Sequence, residues 1–227
     1  MRGTGEQVGG AHARVVVVGA GFAGLAAAAL LRRHGEHDVV VLERAEQVGG
    51  TWRENTYPGA ACDIRSDLYS FSFAPNPGWR HLYAPQPEIQ DYLVRTVERE
   101  GLGPHLRLGT ELLEAAWDGG THRWRLRTSR GSMTAEVLVC GAGPLVDPRW
   151  PDLPGLDSFA GPRFHSAAWD HDVALDLQYP PLGAVRHIAA PRFLVAQIAA
   201  IADDERCAPR ELTVIRHEQM AIRQESH

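Results

Sequence analysis

The sequence contains no lysine; all 23 of its Lys and Arg positions are arginine. This excludes a lysine Schiff base and the phosphate-binding lysine of a Walker-type loop anywhere in its 227 residues. Cysteine is scarce as well. Cys62, Cys140 and Cys207 are odd in number and far apart, so neither a disulfide framework nor a zinc-ligand pattern is present, no metal is expected, and a reducing cytoplasm is the expected compartment. Positive charge is not in surplus. A net charge of -5 and a pI near 6.1 give no electrostatic reason to expect nucleic acid or an anionic membrane as a partner. The apolar stretch from Val15 to Leu31 is too short to span a bilayer comfortably, carries three glycines and has no basic segment just ahead of it. It reads instead as a buried strand followed by a helix.

What is present is a strand, helix, strand pattern. The β-branched run Val15 to Val18 leads through a glycine turn into an alanine-rich helix ending near His34, and a second strand follows at Val39 to Leu42. From Pro87 to Glu100, Ile89, Leu93 and Val97 recur four apart before Gly101, which predicts an amphipathic helix. The segments "TELLEAAWDG", "HRWRLRTS" and "MTAEVLVCGAG" predict a small antiparallel meander leading into a buried strand at Val137 to Cys140. Pro144, Pro148, Pro151 and Pro154 then mark a stiff linker. Beyond Gln178 one helix is expected, at about Pro191 to Asp204. The fold expected for residues 13 to 145 is α/β: a Rossmann-type domain with a parallel sheet and the meander packed on it.

Gly19, Gly21 and Gly24 spell GxGxxG directly after a strand and at the start of a helix, the context that gives this pattern its meaning. Gly19 permits the tight turn, Gly21 lets backbone approach a pyrophosphate, and Gly24 lets helix and strand pack closely. Phe22 and Ala23 lie in the first helical turn, whose unpaired amides and partial positive charge suit phosphates. Glu43, followed by Arg44, ends the second strand, where a carboxylate accepts hydrogen bonds from an adenosine ribose and repels a 2′-phosphate. FAD or NAD is therefore expected at this site rather than NADP.

Further along, the residues resemble a family. Gly49, Gly50, Thr51, Trp52, Tyr57, Pro58, Gly59 and Ala60, with Cys62 and Asp63, look like the flavin-contacting segment of the Baeyer-Villiger monooxygenases, a branch of the flavin-containing monooxygenases. "SDLYSFSF" and "LYAPQPEIQDYL" look like the segments that follow it, and "GAGPL", Gly141 to Leu145 with Gly143 at its centre, resembles the glycine turn where the FAD domain is left. Phe159, Gly161, His165, Trp169 and Asp170 match FxGxxxHxxxW followed by Pro or Asp, the fingerprint of the Baeyer-Villiger enzymes. Taken alone, His165 and Trp169 would read as a packed histidine and a core indole. The resemblance covers about residues 13 to 177. It divides the chain into an FAD-binding domain (1–145), a linker carrying the fingerprint (146–177) and an unmatched tail (178–227).

The resemblance implies FAD reduced by NADPH, and insertion of one oxygen atom from O2 beside the carbonyl of a small ketone-like substrate. A nearby cation would stabilise the negative charge of the attacking oxygen. By family position Asp63 would orient that cation and His165 would belong to the catalytic apparatus; the alternative for Asp63, read from its own surroundings, is an ordinary turn or capping residue. The family's second glycine fingerprint, for NADPH, should follow Leu177. Residues 178 to 227 hold a single glycine, Gly183, which cannot form such a cradle, and none of Arg186, Arg192, Arg206, Arg210, Arg216 or Arg223 can be assigned the catalytic cation's role. The expectation is that the chain departs from the family after about Leu177, as a truncated or frame-shifted gene product would, with the NADPH domain absent or incomplete. Two alternatives stay open: a non-catalytic FAD-binding remnant, and an N- or S-oxidising flavin-containing monooxygenase.

Overall fold

The computed structural model describes residues 11–144, 147–150, 155–158, 160 and 162–173. Leu145, Phe159, Gly161 and the expected helix at 191–204 lie outside them, as does the rest of the tail. The described residues form two compact units: 11–50 with 93–143, and 51–92 with those from Pro144 onward.

The first unit is built on a six-stranded sheet in the order β3-β2-β1-β6-β5-β4. Strand β1 (Ala11–Val18) is flanked by strands on both its edges, and its valine run is buried from Val15 to Val18. Helix α1 (Phe22–Arg33) returns the chain to β2 (Val39–Leu42), which lies parallel to β1 with Val15 opposite Val39 and Val18 opposite Leu42. Gly24, Leu25, Ala28 and Ala29 form the buried stripe of α1, and their small side chains let the helix lie close to the strands. Gly35, at φ +87°, ends it. Strand β3 (Leu106–Arg107) adds parallel to β2.

Two expectations about the meander are corrected. Strands β4 (Leu112–Asp118) and β5 (Arg123–Thr128) do not pack on the parallel sheet; they extend it. The reason is the length of β6 (Gly131–Cys140): Met133 and Ala135 pair with Leu126 and Trp124 of antiparallel β5 on one side and with Ala11 and Ala13 of parallel β1 on the other. One strand is both the last of the meander and a member of the parallel sheet. Nor is Val137 to Cys140 buried. The pairing with β5 stops at Ala135, while that with β1 continues to Cys140, leaving Val137 47% exposed and Cys140 exposed among the described residues.

Ala13, Val16, Leu42, Ala115, Leu126 and Ala135 form a buried cluster against which Trp124, Met133 and Leu138 pack, so meander and parallel strands share one core. Full burial of a leucine such as Leu126 contributes about 1.5 to 3 kcal/mol. Helix α3 (Gln86–Arg99), expected from Pro87, starts one residue earlier. Just past its end, Glu100 accepts two hydrogen bonds from Arg33, at 2.9 and 3.0 Å, and its carbonyl accepts one from Arg32.

The described residues of the second unit have little regular structure: the single-turn helix α2 (Thr51–Glu54), short 3-10 turns at Ser66–Leu68, Leu156–Ser158 and Ser166–Ala168, and the first half of α3. Side chains hold it instead. The buried Tyr92 hydroxyl accepts from the Phe71 amide at 2.7 Å and donates to the Ala74 carbonyl at 2.9 Å. Ser66 donates to the carbonyls of His81 and Leu82, and the Trp79 indole donates to Ser70. Phe71 stacks on Phe73 with ring centres 5.0 Å apart, and the Tyr92 ring lies 5.7 Å from Phe71 and 5.3 Å from Trp79.

Candidate functional site

In the first unit, three glycine-bearing turns converge at the carboxyl ends of the parallel strands. The turn after β1 carries Gly19 at φ +93°, a left-handed conformation that favours glycine, and an added Cβ there would come 2.6 Å from the Gly141 carbonyl oxygen. At Gly24 an added Cβ would overlap the Gly19 carbonyl oxygen, so helix and turn touch backbone to backbone. The second turn follows β2. Its Gly49 amide donates to the Ala20 carbonyl at 2.9 Å, and a Cβ on Gly50, itself at φ +53°, would sit 3.2 Å from the Gly21 Cα. The third follows β6, where the Gly141 amide donates to the Val18 carbonyl at 2.8 Å and Gly143 has φ +80° with open space where its Cβ would be.

This is a cradle of bare backbone at a helix N-terminus. The cap of α1 is Gly21, which has no side-chain oxygen to offer, and no acidic residue occupies the first turn, where Phe22 and Ala23 lie. Such an end favours an anion. Glu43 stands beside it, 6% exposed; its Oε2 accepts from the Ala20 amide at 2.8 Å and its Oε1 from the Ala45 amide at 3.0 Å. These two bonds aim the carboxylate. Arg44 is exposed. A dinucleotide with free ribose hydroxyls fits this donor and acceptor set: pyrophosphate on the glycine turn, ribose on Glu43.

The remaining candidates lie in the second unit. The Trp52 indole N–H donates to the Tyr69 hydroxyl at 3.0 Å, its ring is edge-on to Tyr69 at 5.7 Å, and its carbonyl accepts from the Gln86 side chain. Trp52 is thereby held by Tyr69 and Gln86, which lie in the segments "SDLYSFSF" and "LYAPQPEIQDYL" but carry no assigned role there. Thr51 and Asp63 are exposed. Cys62, next to Asp63, is buried; burial pushes its thiol above the ordinary value, so it stays protonated at neutral pH and supplies no thiolate. Burial also raises the Tyr69 phenol, against the opposing bond from Trp52.

His165 caps the turn Ser166–Ala168: its Nδ1 accepts from the Ala167 amide at 3.1 Å, which leaves the proton of the neutral ring on Nε2. Burial lowers its pKa, reinforcing the neutral form. Trp169 packs edge-on to Phe164 at 4.7 Å and lies 6.2 Å from Tyr57. The structure therefore brings Gly19, Gly21, Gly24, Glu43 and Gly50 together with Gly141, two residues before Gly143, and gives His165 a capping bond that its motif position does not foretell. The amides of Ala20 and Ala45, which aim Glu43, carry no sequence signal because any residue supplies an amide.

Residues 17–85 match the model of the NAD(P)-binding Rossmann-like domain. A Baeyer-Villiger monooxygenase of Streptomyces coelicolor is 56% identical over 164 residues, which cover 72% of this chain and 32% of that protein. Among solved structures, cyclohexanone monooxygenase from Rhodococcus sp. Phi1 bound to NADP+ superposes with a TM-score of 0.66 at 38% identity, covering 73% of this chain and 32% of that one. OTEMO in complex with FAD and NADP superposes with a TM-score of 0.64 at 33% identity, covering 70% and 31%. The chain spans about a third of the length of the relatives it matches. Over its N-terminal part, about 72% of its length, the chain is similar in both sequence and fold to Baeyer-Villiger monooxygenases.

Proposed function

We propose that this chain is the FAD-holding N-terminal part of a Baeyer-Villiger-type flavoprotein monooxygenase, cytoplasmic and acting on a small ketone-like molecule with NADPH and O2. The observation that carries the reading is the cradle of Gly19–Gly24, Gly49–Gly50 and Gly141–Gly143 beside a buried carboxylate already aimed by two backbone amides. Gly21 and the first turn of α1 hold the pyrophosphate; Glu43 holds the ribose and disfavours a 2′-phosphate. In this reading Thr51, Trp52 and Asp63 border the flavin, with Trp52 kept in place by Tyr69 and Gln86. A bound flavin supplies the two-electron chemistry that links NADPH to O2. Asp63 is exposed, which suits a carboxylate that orients a cation rather than one that shuttles a proton from a dry site. His165, with its Nδ1 engaged, acts by shaping the turn Ser166–Ala168 that it caps.

A second reading, FAD binding without oxygenation, is favoured by one observation: residues 178 to 227 contain only Gly183 and so no second phosphate cradle. Positioning of reactants can contribute about 7 to 11 kcal/mol of a reaction barrier, and residues 178 to 227 offer no glycine turn to hold a nicotinamide cofactor by its phosphates. Titration of the purified chain with FAD, followed by flavin fluorescence and the visible spectrum, tests the cradle. One FAD per chain is expected, undisturbed by NADP. Glu43→Gln should weaken binding by roughly 10- to 100-fold, the loss of a charged acceptor worth about 1.5 to 3 kcal/mol. A folded chain that takes up no flavin, or a variant with unchanged affinity, would count against the assignment. Anaerobic addition of NADPH separates the two readings, since bleaching of the flavin band at micromolar NADPH requires a nicotinamide site.

A further inference from the structure

The fingerprint strap, residues 162–173, is fastened to the start of the second unit by groups that lie at and beyond its motif. His171 Nε2 is 2.8 Å from the Thr56 hydroxyl. One residue along on one side and two back on the other, the Tyr57 ring faces the Trp169 indole at 6.2 Å, and Trp169 is in turn seated edge-on against Phe164 at 4.7 Å. At the other end of the strap the Arg163 guanidinium donates to the Leu156 carbonyl at 2.6 Å. Between these points, His165 caps the turn that sets the spacing from Phe164 to Trp169.

We propose that Thr56 and His171, together with Tyr57 and Trp169, form a clasp that holds the strap on residues 51–57, and that His171 is its positioning residue. The two halves of the clasp are complementary. The ring pair gives apolar area, which is non-directional. The hydroxyl–imidazole bond is directional and fixes which way the strap runs across Thr56 and Tyr57. Residues 51–57 are also gripped from their other end, because Trp52 is bound to Tyr69 and Gln86 and the Asn55 side chain donates to the Thr51 carbonyl at 2.9 Å. The clasp therefore closes the free end of a segment whose beginning is already rigid. On the FAD reading above, the same segment borders the flavin, so a closed clasp fixes that border.

Arg163 provides the probe. It is exposed, and trypsin cuts after it only when the strap lifts enough to enter the protease. Cleavage of the Arg163–Phe164 bond in the flavin-free chain, timed by mass spectrometry, should accelerate about two- to tenfold in His171→Ala and in Thr56→Val. The double variant should be no faster than either single one, because both remove the same bond. His171→Gln, which keeps a hydrogen-bonding group, should restore part of the protection, and Trp169→Ala should open the strap further than either polar variant. Equal cleavage rates in wild type and His171→Ala, or strictly additive effects in the double variant, would overturn the clasp. Thr56 and His171 are exposed, so these variants leave the folded unit in place. Because cleavage is measured without flavin, the result stands whether or not the chain binds FAD. Flavin affinity of the same variants then reports separately on the border role.

Discussion

The two units reach order by opposite means. In the first, the site is made of main chain: glycines whose missing Cβ atoms let three turns meet, with one carboxylate aimed by two amides. In the second, loops from Thr51 to Pro85 are held by individual hydroxyls, rings and a buried carboxylate, chiefly Ser66, Tyr69, Glu88 and Tyr92. A backbone site tolerates almost no added atom. A side-chain-stitched loop tolerates added atoms at its surface but not the loss of particular polar ones. Each statement makes a prediction with a different signature, and the signatures rank by how completely the substituted group is enclosed.

The largest effect is expected at Gly24. An alanine there would drive its methyl into the Gly19 carbonyl oxygen, a backbone atom, and the methyl's own position is fixed by the helix backbone, so neither can swing aside. Gly24→Ala should cost at least about 3 kcal/mol, at the upper end for overpacking. Gly35 supplies the control. It too has a left-handed φ, +87°, but nothing lies within 4 Å of its would-be Cβ, so Gly35→Ala should cost only the conformational penalty of about 1 to 2 kcal/mol. Urea midpoints of the two variants measure the difference. Equal losses would mean that turn conformation, not close approach, governs the first unit.

Next in size is Tyr92→Phe. The ring stays, with its contacts to Phe71 and Trp79, while the hydroxyl that serves both the Phe71 amide and the Ala74 carbonyl is lost. Leaving such buried groups unpaired costs about 1 to 3 kcal/mol. Proteolysis within residues 70–75 should accelerate in step with the loss of stability. Stability unchanged beside faster proteolysis would show the loop opening locally, on its own.

The contrast between the units also explains what could be read from residues alone. Gly19, Gly21 and Gly24 announce themselves because each does a job that only glycine does, and Val15 to Val18 declare a buried strand by composition. The helix at 86–99 was equally plain, since Ile89 and Leu93 repeat at helical spacing and are buried. The meander's place was not legible: whether "MTAEVLVC" makes one long strand or a hairpin arm followed by a separate strand depends on partners at both edges, and no local pattern records that Ala135 pairs with both Ala13 and Trp124. Val137 misled for a related reason, because its apolar side chain promised burial that the pairing with β5, ending at Ala135, does not provide. In the second unit, Tyr69 and Gln86 grip Trp52 from 17 and 34 residues away, and nothing in their types foretells it.

The smallest expected effect is an acid dependence that belongs to the second unit. Glu88 lies near the start of α3, 6% exposed. Burial alone would raise its pKa. The bonds it accepts outweigh burial: the Arg80 amide donates at 2.8 Å, the His81 ring lies at 2.9 Å, and the Arg80 guanidinium stands 3.9 Å away, so the carboxyl titrates below the usual carboxylate range. A group whose pKa is lower folded than unfolded adds stability above its unfolded value and loses it as pH falls through its folded one. Between neutral pH and pH 5, then, Glu88 contributes its full share, and that share should fade as the solution is acidified beyond the ordinary carboxylate range. Glu88→Gln keeps the size of the side chain and one acceptor but has no charge to lose. Its stability at neutral pH should fall by about 1 kcal/mol, the difference between a charged and a neutral acceptor. Its decline on acidification should be shallower than that of the wild type, so the two curves of unfolding free energy against pH should converge toward the acid end. Parallel curves, displaced by a constant amount, would mean that Glu88 holds Arg80 and His81 by shape alone, and would place the second unit's acid sensitivity on other carboxylates.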